Sequence, residues 1–303
     1  MTVSVIIPTY NRLEMLKEAI DSVLNQTRLP DEIIIGDDSN NNLTKTYINK
    51  ELILKSEVPI RYFHHEPSLK QGRNVEFILN KAACDLCMLL HDDDLLMPDC
   101  IKTLIKPLEE NPEVVASYGD QIFIHENGKE IKDSFRLNKK YYRTPERQGI
   151  VEGKWASVVQ MFPNDAFLVR TKAALKTGYF ANGRAGDAVD FYFGYRLGEG
   201  NKFFYVNRYT AKYRMCTESV SGSGSTNFMS ATLKVLLQEI DTSMRETPEV
   251  RKKIRQLMNP AISEVIRGGD KNLALKWMTS KYYNLFSLRG FKRIMMLVIP
   301  YRS

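Results

Sequence analysis

The sequence has no long apolar run and only a few cysteines. The first observation argues against a membrane-spanning helix, and the second against a zinc or redox site. No stretch approaches the ~20 apolar residues of a membrane-spanning helix. The amino terminus enters an apolar segment at Val3 without a basic leader, so we expect a cytoplasmic protein. Of four cysteines, Cys84 and Cys87 have C-x-x-C spacing, but no second pair follows. Buried thiols are therefore favoured over a zinc or redox site.

Most of the chain also lacks an excess of either charge. The first 224 residues hold 29 Lys+Arg against 30 Asp+Glu, whereas residues 225–303 hold 14 against 6. The net charge of +7 is therefore a property of the tail, which has no interleaved aromatic platform for bases. A nucleic-acid binder is disfavoured, and a near-neutral domain with a cationic appendage is expected.

Strands alternate with helices in the first hundred residues. Apolar positions from Leu13 to Leu24 and again after Gly72 have helical spacing. This alternation predicts an α/β fold with a mostly parallel sheet, right-handed crossovers and flanking helices. The predicted strands here are Val3–Pro8, Glu32–Ser39, Ile60–His64 and Leu86–Leu90.

The later part of the chain has weaker signals. We predict a hairpin over Asp120–Ile131 that turns at Asn127-Gly128, and then a loop over Asp133–Gly153, where no period is visible. The predicted domains are residues 1–220 and residues 221–303, which contain a linker or lid at Ser221–Ser225 and a basic helical region. Further strands are predicted over Val114–Tyr118, Ala166–Arg170, Phe203–Val206 and Thr210–Arg214.

Three consecutive carboxylates, Asp92, Asp93 and Asp94, follow the apolar run Leu86–Leu90. Like charges this close raise one another's pKa unless a positive charge intervenes, and a hard divalent cation is a common remedy. The pattern predicts a metal site at a strand end. Two alternatives remain, a cap for the helix that begins near Pro98 and a solvated turn.

Other polar residues also follow predicted strand ends. Thr9 and Tyr10 follow the first strand, and Asp37 and Asp38 follow the second. Ligands of open α/β sheets bind beyond the carboxyl ends of the strands, so these clusters should converge with Asp92–Asp94 on one edge.

Several motifs, in this order and spacing, resemble those of family 2 glycosyltransferases with the GT-A fold. The resemblance covers roughly residues 1–220. The matching pieces are Val5-Ile6-Ile7-Pro8-Thr9-Tyr10-Asn11-Arg12, Ser22-Val23-Leu24-Asn25-Gln26-Thr27, Asp37-Asp38-Ser39, Gly72-Arg73-Asn74, His91-Asp92-Asp93-Asp94 with Pro98-Asp99, and Asp190 with Arg196-Leu197.

The resemblance implies a nucleotide-sugar site and a divalent metal, Mn²⁺ or Mg²⁺. Asp38 would accept a hydrogen bond from the base, usually uracil. Asp92 would meet the ribose, and Asp93 would hold the metal between the protein and the diphosphate. The remaining residues implied to bind the nucleotide sugar are Thr9, Tyr10, Asn11 and Arg73.

The resemblance also implies an inverting transfer, in which Asp190 removes the proton from the acceptor hydroxyl. From the residues alone, Asp187 and Asp190 can equally be a helix cap and its reciprocal partner. The implied enzyme transfers a sugar from a nucleotide-sugar donor, for which a UDP-sugar is expected, to a hydroxyl of a glycan or lipid-linked acceptor. This reaction would belong to surface polysaccharide synthesis. The segments Trp155–Asp165 and Phe191–Tyr195 are expected to shape the acceptor side.

Two rival functions use the same layout. A sugar nucleotidyltransferase would need a glycine-rich phosphate loop after the first strand, and Pro8–Arg12 contains no glycine. A non-catalytic nucleotide-sugar-binding protein is the second rival. An enzyme would hydrolyse a UDP-sugar slowly, whereas a binding protein would not hydrolyse it.

The tail ends in Phe291–Pro300, which joins a six-residue apolar run to adjacent cations. Such a segment can lie on the inner face of the cell membrane against anionic lipid. The same residues would serve equally well for packing on the first domain or on a second subunit in a homo-oligomer.

Overall fold

A computed structural model describes residues 1–215 and 227–298. The predicted linker Ser221–Ser225 and the end of the predicted tail segment, Ile299 and Pro300, lie outside these residues. The strands are β1 (Val3–Thr9), β2 (Glu32–Asp37), β3 (Ile60–His64), β4 (Leu86–Leu89), β5 (Leu95–Leu96), β6 (Val114–His125), β7 (Gly149–Glu152), β8 (Phe167–Arg170) and β9 (Lys202–Met215).

Helices connect and follow these strands. Short π-helical and 3₁₀ segments lie at Ile48–Leu52, Pro145–Arg147 and Ala181–Gly183. No helix within the described ranges is long and apolar enough to cross a bilayer. The α-helices are α1 (Leu13–Leu24), α2 (Leu43–Tyr47), α3 (Ile53–Lys55), α4 (Gln71–Leu79), α5 (Cys100–Glu110), α6 (Ser134–Lys140), α7 (Gly153–Val158), α8 (Thr171–Thr177), α9 (Val189–Leu197), α10 (Phe228–Gln238), α11 (Thr242–Arg245), α12 (Pro248–Arg267), α13 (Lys271–Met278) and α14 (Leu288–Val298).

One sheet organises the first part of the chain. Its strand order is β3-β2-β1-β4-β8-β6-β9-β5, and β7 also pairs with β9. The run β3-β2-β1-β4 is parallel, as is the long pair β6–β9, whereas β8 lies antiparallel between β4 and β6. The predicted α/β fold with a mostly parallel sheet and flanking helices is confirmed.

The core forms where apolar residues are continuous or periodic. Every residue of β1 and β2 is buried, as expected for parallel strands covered on both faces. Helix α1 buries Leu16, Ala19, Ile20 and Val23, whose spacing forms one stripe. These residues share a cluster with Val3, Val5 and Ile7 of β1, so α1 packs on the sheet directly after the β1–α1 loop.

The predicted loop over Asp133–Gly153 is wrong, because this stretch contains α6, a 3₁₀ turn and β7. Its polar residues satisfy buried backbone groups instead of forming an apolar stripe. Asn138 is buried and exchanges hydrogen bonds with the backbone N and O of Gln121, at 3.1 and 2.7 Å. Buried Arg143 donates to the Met161 carbonyl at 2.8 Å and the Gln121 side chain at 2.9 Å.

Two other boundaries also differ from the prediction. The separate strands predicted over Phe203–Val206 and Thr210–Arg214 are one strand, β9, and β6 likewise runs through the expected break near Gly119. Register shifts on either side of Asp120 let the two long strands remain paired. The turn at Asn127-Gly128 is present, with Gly128 at a φ of 80°.

The described residues form two compact units. The first contains residues 1–183 and 193–215, and the second contains residues 184–192 and 227–298. The predicted boundary at residue 220 lies in the undescribed segment and stays a prediction. Cys87 and Cys100 are buried free thiols, and Cys84 is a partly buried one.

Gly36 precedes the acids at the end of β2, and we expect Gly36→Ala to destabilise the first unit by about 1–3 kcal/mol. An added Cβ would lie 2.1 Å from Asn74 Oδ1 and 2.7 Å from Ile78 Cγ2. Asn74 cannot move freely, because its Nδ2 donates to the Gly36 carbonyl at 2.8 Å. Urea denaturation measures the effect.

The control is Gly268→Ala, where the nearest atom to a new Cβ is 3.5 Å away. That variant should change the free energy of unfolding by less than about 0.5 kcal/mol. An unchanged denaturation midpoint for Gly36→Ala would show that Asn74 and Ile78 of α4 do not pack against Gly36 of β2 as closely as described.

Candidate functional site

The carboxyl ends of three neighbouring strands, β2, β1 and β4, define the candidate site. Thr9 is the last residue of β1 and pairs in register with Asp37, the last residue of β2. The acidic run Asp92–Asp94 follows β4, which is parallel to β1. The structure therefore brings the three predicted polar clusters to one edge of the sheet.

Asp92 is tied to the end of β1. Its Oδ2 accepts hydrogen bonds from the Thr9 hydroxyl at 2.7 Å and from the Tyr10 backbone N at 3.4 Å. Burial, followed by the neighbouring negative charge of Asp93, raises the pKa of Asp92 to about 6. The Tyr10 side chain itself remains exposed, so it can cover a planar ligand.

Asp93 forms an ion pair with Arg12 from the β1–α1 loop. Arg12 Nη1 lies 2.8 Å from Asp93 Oδ2 and 3.5 Å from Asp92 Oδ1. The Asp93 side chain is 13% exposed, so a ligand can approach it from solvent. The guanidinium supplies the positive charge that the acidic run requires.

Asp38 and Asp37 have different surroundings. Asp38 accepts from the Ser68 hydroxyl and the Leu69 backbone N, both at 3.1 Å, and its own N donates to the Thr9 carbonyl at 3.0 Å. A carboxylate offers about four acceptor positions, so Asp38 can accept further hydrogen bonds. Asp37 is buried and accepts from the Tyr62 hydroxyl at 2.6 Å, which indicates a structural role.

Asn11 connects two loops, whereas Arg73 is an exposed helical residue. Asn11 has a left-handed φ of 53°, its N donates to Ser39 Oγ at 2.8 Å, and its Oδ1 accepts from Asn41 Nδ2 at 2.9 Å. Arg73 in α4 lies 5.2 Å from the ring of Phe180. Within the described part of the chain it makes no hydrogen bond or ion pair with the acids.

Asp165 was predicted only as the end of a segment on the acceptor side, yet it lies beside the acidic run. Because β8 is antiparallel to β4 and Phe167 pairs with Leu89, residues just before β8 meet residues just after β4. Asp165 Oδ2 accepts from the His91 backbone N at 3.1 Å. No local sequence pattern predicts this encounter, since it depends on the direction of β8.

Asp165 forms a triad with His91 and Asp94, in which both carboxylates are buried and the imidazole is partly buried. One potential ligand atom from each residue lies within 4.8 Å of the others, so the triad could hold a divalent cation. Burial raises the pKa of both carboxyls, and for Asp94 the negative charge of Asp165 raises it further. A bound cation would remove this conflict between buried like charges.

Arg214 of β9 supports the loop that carries the acids. Its backbone N donates to Asp94 Oδ1 at 2.6 Å, and its side chain donates to the Asp93 carbonyl at 2.8 Å and to Glu18 at 2.6 Å. The acids therefore do not cap α5, which begins at Cys100 after Asp99 without a side-chain cap. The cap interpretation of the acidic run is wrong.

Asp190 lies in the first turn of α9 and is partly buried. It belongs to the second unit, whereas the acids after β4 belong to the first, and its role as a base stays a prediction. Asp187 accepts from the backbone N of Asn227 at 2.7 Å, so this carboxylate is engaged just before α10.

Known proteins are similar to this chain in sequence and in fold. The family model described as glycosyl transferase family 2 matches residues 4–173. The chain is 35% identical over 109 residues to a GalNAc(5)-diNAcBac-PP-undecaprenol beta-1,3-glucosyltransferase of Campylobacter jejuni, covering 35% of this chain and 34% of that protein. It is 30% identical over 118 residues to the abequosyltransferase RfbV of Salmonella typhimurium, covering 38% and 34%. These matches span only about a third of each relative.

Two solved structures show the same fold. Residues 1–349 of S. aureus TarS in complex with UDP align with a TM-score of 0.59 and 14% identity over 98% of this chain and 89% of that one. The mannosyltransferase PcManGT of Pyrobaculum calidifontis with GDP-Man and Mn²⁺ gives 0.61 and 12%, over 98% and 86%. With the family model covering more than half of its length, the chain belongs to glycosyl transferase family 2 and has the GT-A fold.

Proposed function

We propose that this enzyme is an inverting, metal-dependent glycosyltransferase that moves a sugar from a UDP-sugar to a hydroxyl of a glycan or lipid-linked acceptor. The observation that carries the proposal is the connected edge of β1, β2 and β4. There Thr9 donates to Asp92 and Arg12 pairs with Asp93, beside the buried carboxylate of Asp38.

The donor nucleotide would lie along the ends of β1 and β2. Asp38 is already fixed by two donors and would accept an N–H from the base, for which uracil is the expected partner. Tyr10 would stack on the base, Asn11 would hold the loop around it, and Asp92 would meet the ribose. Arg73 would contact the nucleotide only if the donor reaches α4. TarS was solved with UDP and with UDP-GlcNAc, which supports the choice of uridine.

A divalent cation, Mn²⁺ or Mg²⁺, fits the oxygen-rich acidic run. Asp93 is the proposed ligand at the solvent side, and the triad of His91, Asp94 and Asp165, with its two buried carboxylates, is a second candidate. When bound, the cation would neutralise the negative charge that grows on the departing diphosphate. PcManGT was solved with Mn²⁺, which supports this ion type.

The acceptor side is proposed to use Asp190. An inverting transfer needs one carboxylate to take the acceptor proton as the hydroxyl oxygen attacks the anomeric carbon. The name of the Campylobacter relative includes an undecaprenol-linked substrate, which supports a lipid-linked acceptor in surface glycan synthesis. The enzyme would then work in the cytoplasm at the inner face of the cell membrane.

A ligand screen tests this function. We expect UDP-sugars, together with Mn²⁺, to raise the melting temperature by several degrees, because a ligand at 100 times its Kd adds about 2.7 kcal/mol. GDP-mannose and ADP-glucose serve as controls and should shift it less. The selected donor should also be hydrolysed slowly without acceptor. A shift without any hydrolysis or transfer would favour a binding protein, and no shift with any nucleotide sugar would refute the proposal.

A further inference from the structure

The last described helix, α14, and the residues just before it expose large apolar side chains. Phe286 is 98% exposed and Leu288 is 93% exposed, and Phe291 and Met295 are also exposed. These four residues are called the tail patch. Exposing side chains this fully to water is unfavourable, and contiguous exposed apolar surface marks an interaction site.

A basic cleft lies in the same unit. Its volume is about 680 Å³, and its charged lining consists of four cations and one carboxylate, Glu246. Glu246 accepts from Tyr282 Oη at 2.7 Å, pairs with Lys281 at 2.7 Å and lies 3.7 Å from Nε of Arg251, a cation of the cleft, so its charge is already balanced. The cleft therefore offers a positive surface to an anion. The four cations are Arg251, Lys252, Arg255 and Arg289.

Helix α14 contributes residues to both the tail patch and the basic cleft. Arg289 lines the cleft and lies between Leu288 and Phe291 in the sequence. Helix α14 is fixed to the cleft wall, because Arg293 Nε donates at 2.9 Å to the carbonyl of Asn259, itself a lining residue. The carbonyl of Leu285 lies only 2.2 Å from where a Cβ of Gly290 would be, so a larger residue there would push the helix away.

We propose that the basic cleft and the tail patch together form a docking site for an anionic phospholipid bilayer. The cleft takes lipid phosphate groups, and the tail patch enters the boundary between head groups and acyl chains. A bilayer is favoured over a protein partner because it places negative phosphates directly beside apolar acyl chains. The phosphates complement the cationic cleft, and the acyl chains complement the tail patch. This site is separate from the donor site, although it rests on the proposed location at the membrane.

Vesicle sedimentation of the full chain tests the docking site. We expect binding to vesicles of POPC with one quarter POPG to exceed binding to pure POPC at least tenfold, and to fall in 0.5 M NaCl. Arg255→Gln/Arg289→Gln should lower the partition coefficient about 25-fold, at about fivefold for each cation. Leu288→Ser/Phe291→Ser should lower it at least tenfold.

Matched controls separate this site from general attraction. Lys234→Gln/Lys271→Gln changes the net charge equally at exposed positions of the same unit, and Leu54→Ser removes an exposed leucine from the first unit. Both should change binding less than threefold. Equal loss in the cleft variant and its control, or equal binding to both vesicle types, would overturn the proposal.

Two further readouts complete the test. A concentration-dependent dimer that Leu288→Ser/Phe291→Ser dissociates would identify a second copy of the chain as the partner and also overturn the proposal. The shift in melting temperature with UDP-sugar and Mn²⁺ is measured on every variant. Loss of lipid binding with an intact donor shift concerns the docking site, whereas loss of the donor shift in the unmodified chain concerns the glycosyltransferase function.

Discussion

Replacing Asp190 by asparagine should lower the turnover number of glycosyl transfer by about 10² to 10⁴ while donor affinity changes little. Asparagine keeps the size of the side chain but cannot accept the proton of an acceptor hydroxyl, and general-base assistance contributes about this factor. The measurement combines the initial rate of UDP release in the presence of acceptor with the Kd of the donor in Mn²⁺.

Asp187→Asn is the matched control for this variant. Asp187 lies three residues earlier in the same unit, and its described hydrogen bond, from the Asn227 backbone N, positions the chain before α10. An amide oxygen can accept the same bond, so turnover should stay within about threefold of wild type. Wild-type turnover in Asp190→Asn would refute its role as base, as would an equal loss in both variants.

Replacing Asp93 by asparagine should weaken Mn²⁺-dependent donor binding by about 100-fold and lower kcat/KM at least as much. The substitution removes the solvent-side carboxylate that now pairs with Arg12 at 2.8 Å, and metal ligands contribute several kcal/mol of charge stabilisation. Titration calorimetry with UDP, with and without Mn²⁺, measures the effect directly.

Asp165→Asn distinguishes the two candidate cation positions. If the cation binds at Asp93, Asp165→Asn retains most of the Mn²⁺ dependence, whereas a cation in the triad of His91, Asp94 and Asp165 would make Asp165→Asn the more damaging change. Asp99→Asn is the control, since Asp99 is exposed and accepts from Thr27 Oγ1 at 2.7 Å. Equal UDP affinity with and without Mn²⁺ in the wild-type chain would contradict both positions.

The parallel half of the sheet was predictable because its signals are local. β1, α1, β3 and β4 begin at the predicted residues, since continuous or periodic apolar residues define them without reference to any partner. The acids after β4 were predictable for the same reason. Their convergence with Thr9 follows from the general rule for parallel strands.

The unpredicted features depend on contacts between distant segments. Asp165 joins His91 only because β8 runs opposite to β4. Helix α6 is held in place by hydrogen bonds between the Asn138 side chain and the Gln121 backbone. A search for periodic apolar residues does not detect such a helix. The long strand β9 continues through the polar residues Asn207 and Arg208 because its partner β6 adjusts register beside them.

The ion pair between Arg12 and Asp93 has a consequence for how tightly a cation would bind at Asp93. Arg12 acts as a built-in counter-ion, so part of the negative charge of Asp92 and Asp93 is neutralised before a ligand arrives. An incoming Mn²⁺ would compete with this guanidinium for the same Asp93 oxygen. The measured free energy of Mn²⁺ binding would therefore be the free energy of the metal–carboxylate contact minus that of the ion pair it replaces. The displaced guanidinium would then be available to the phosphates that accompany the metal.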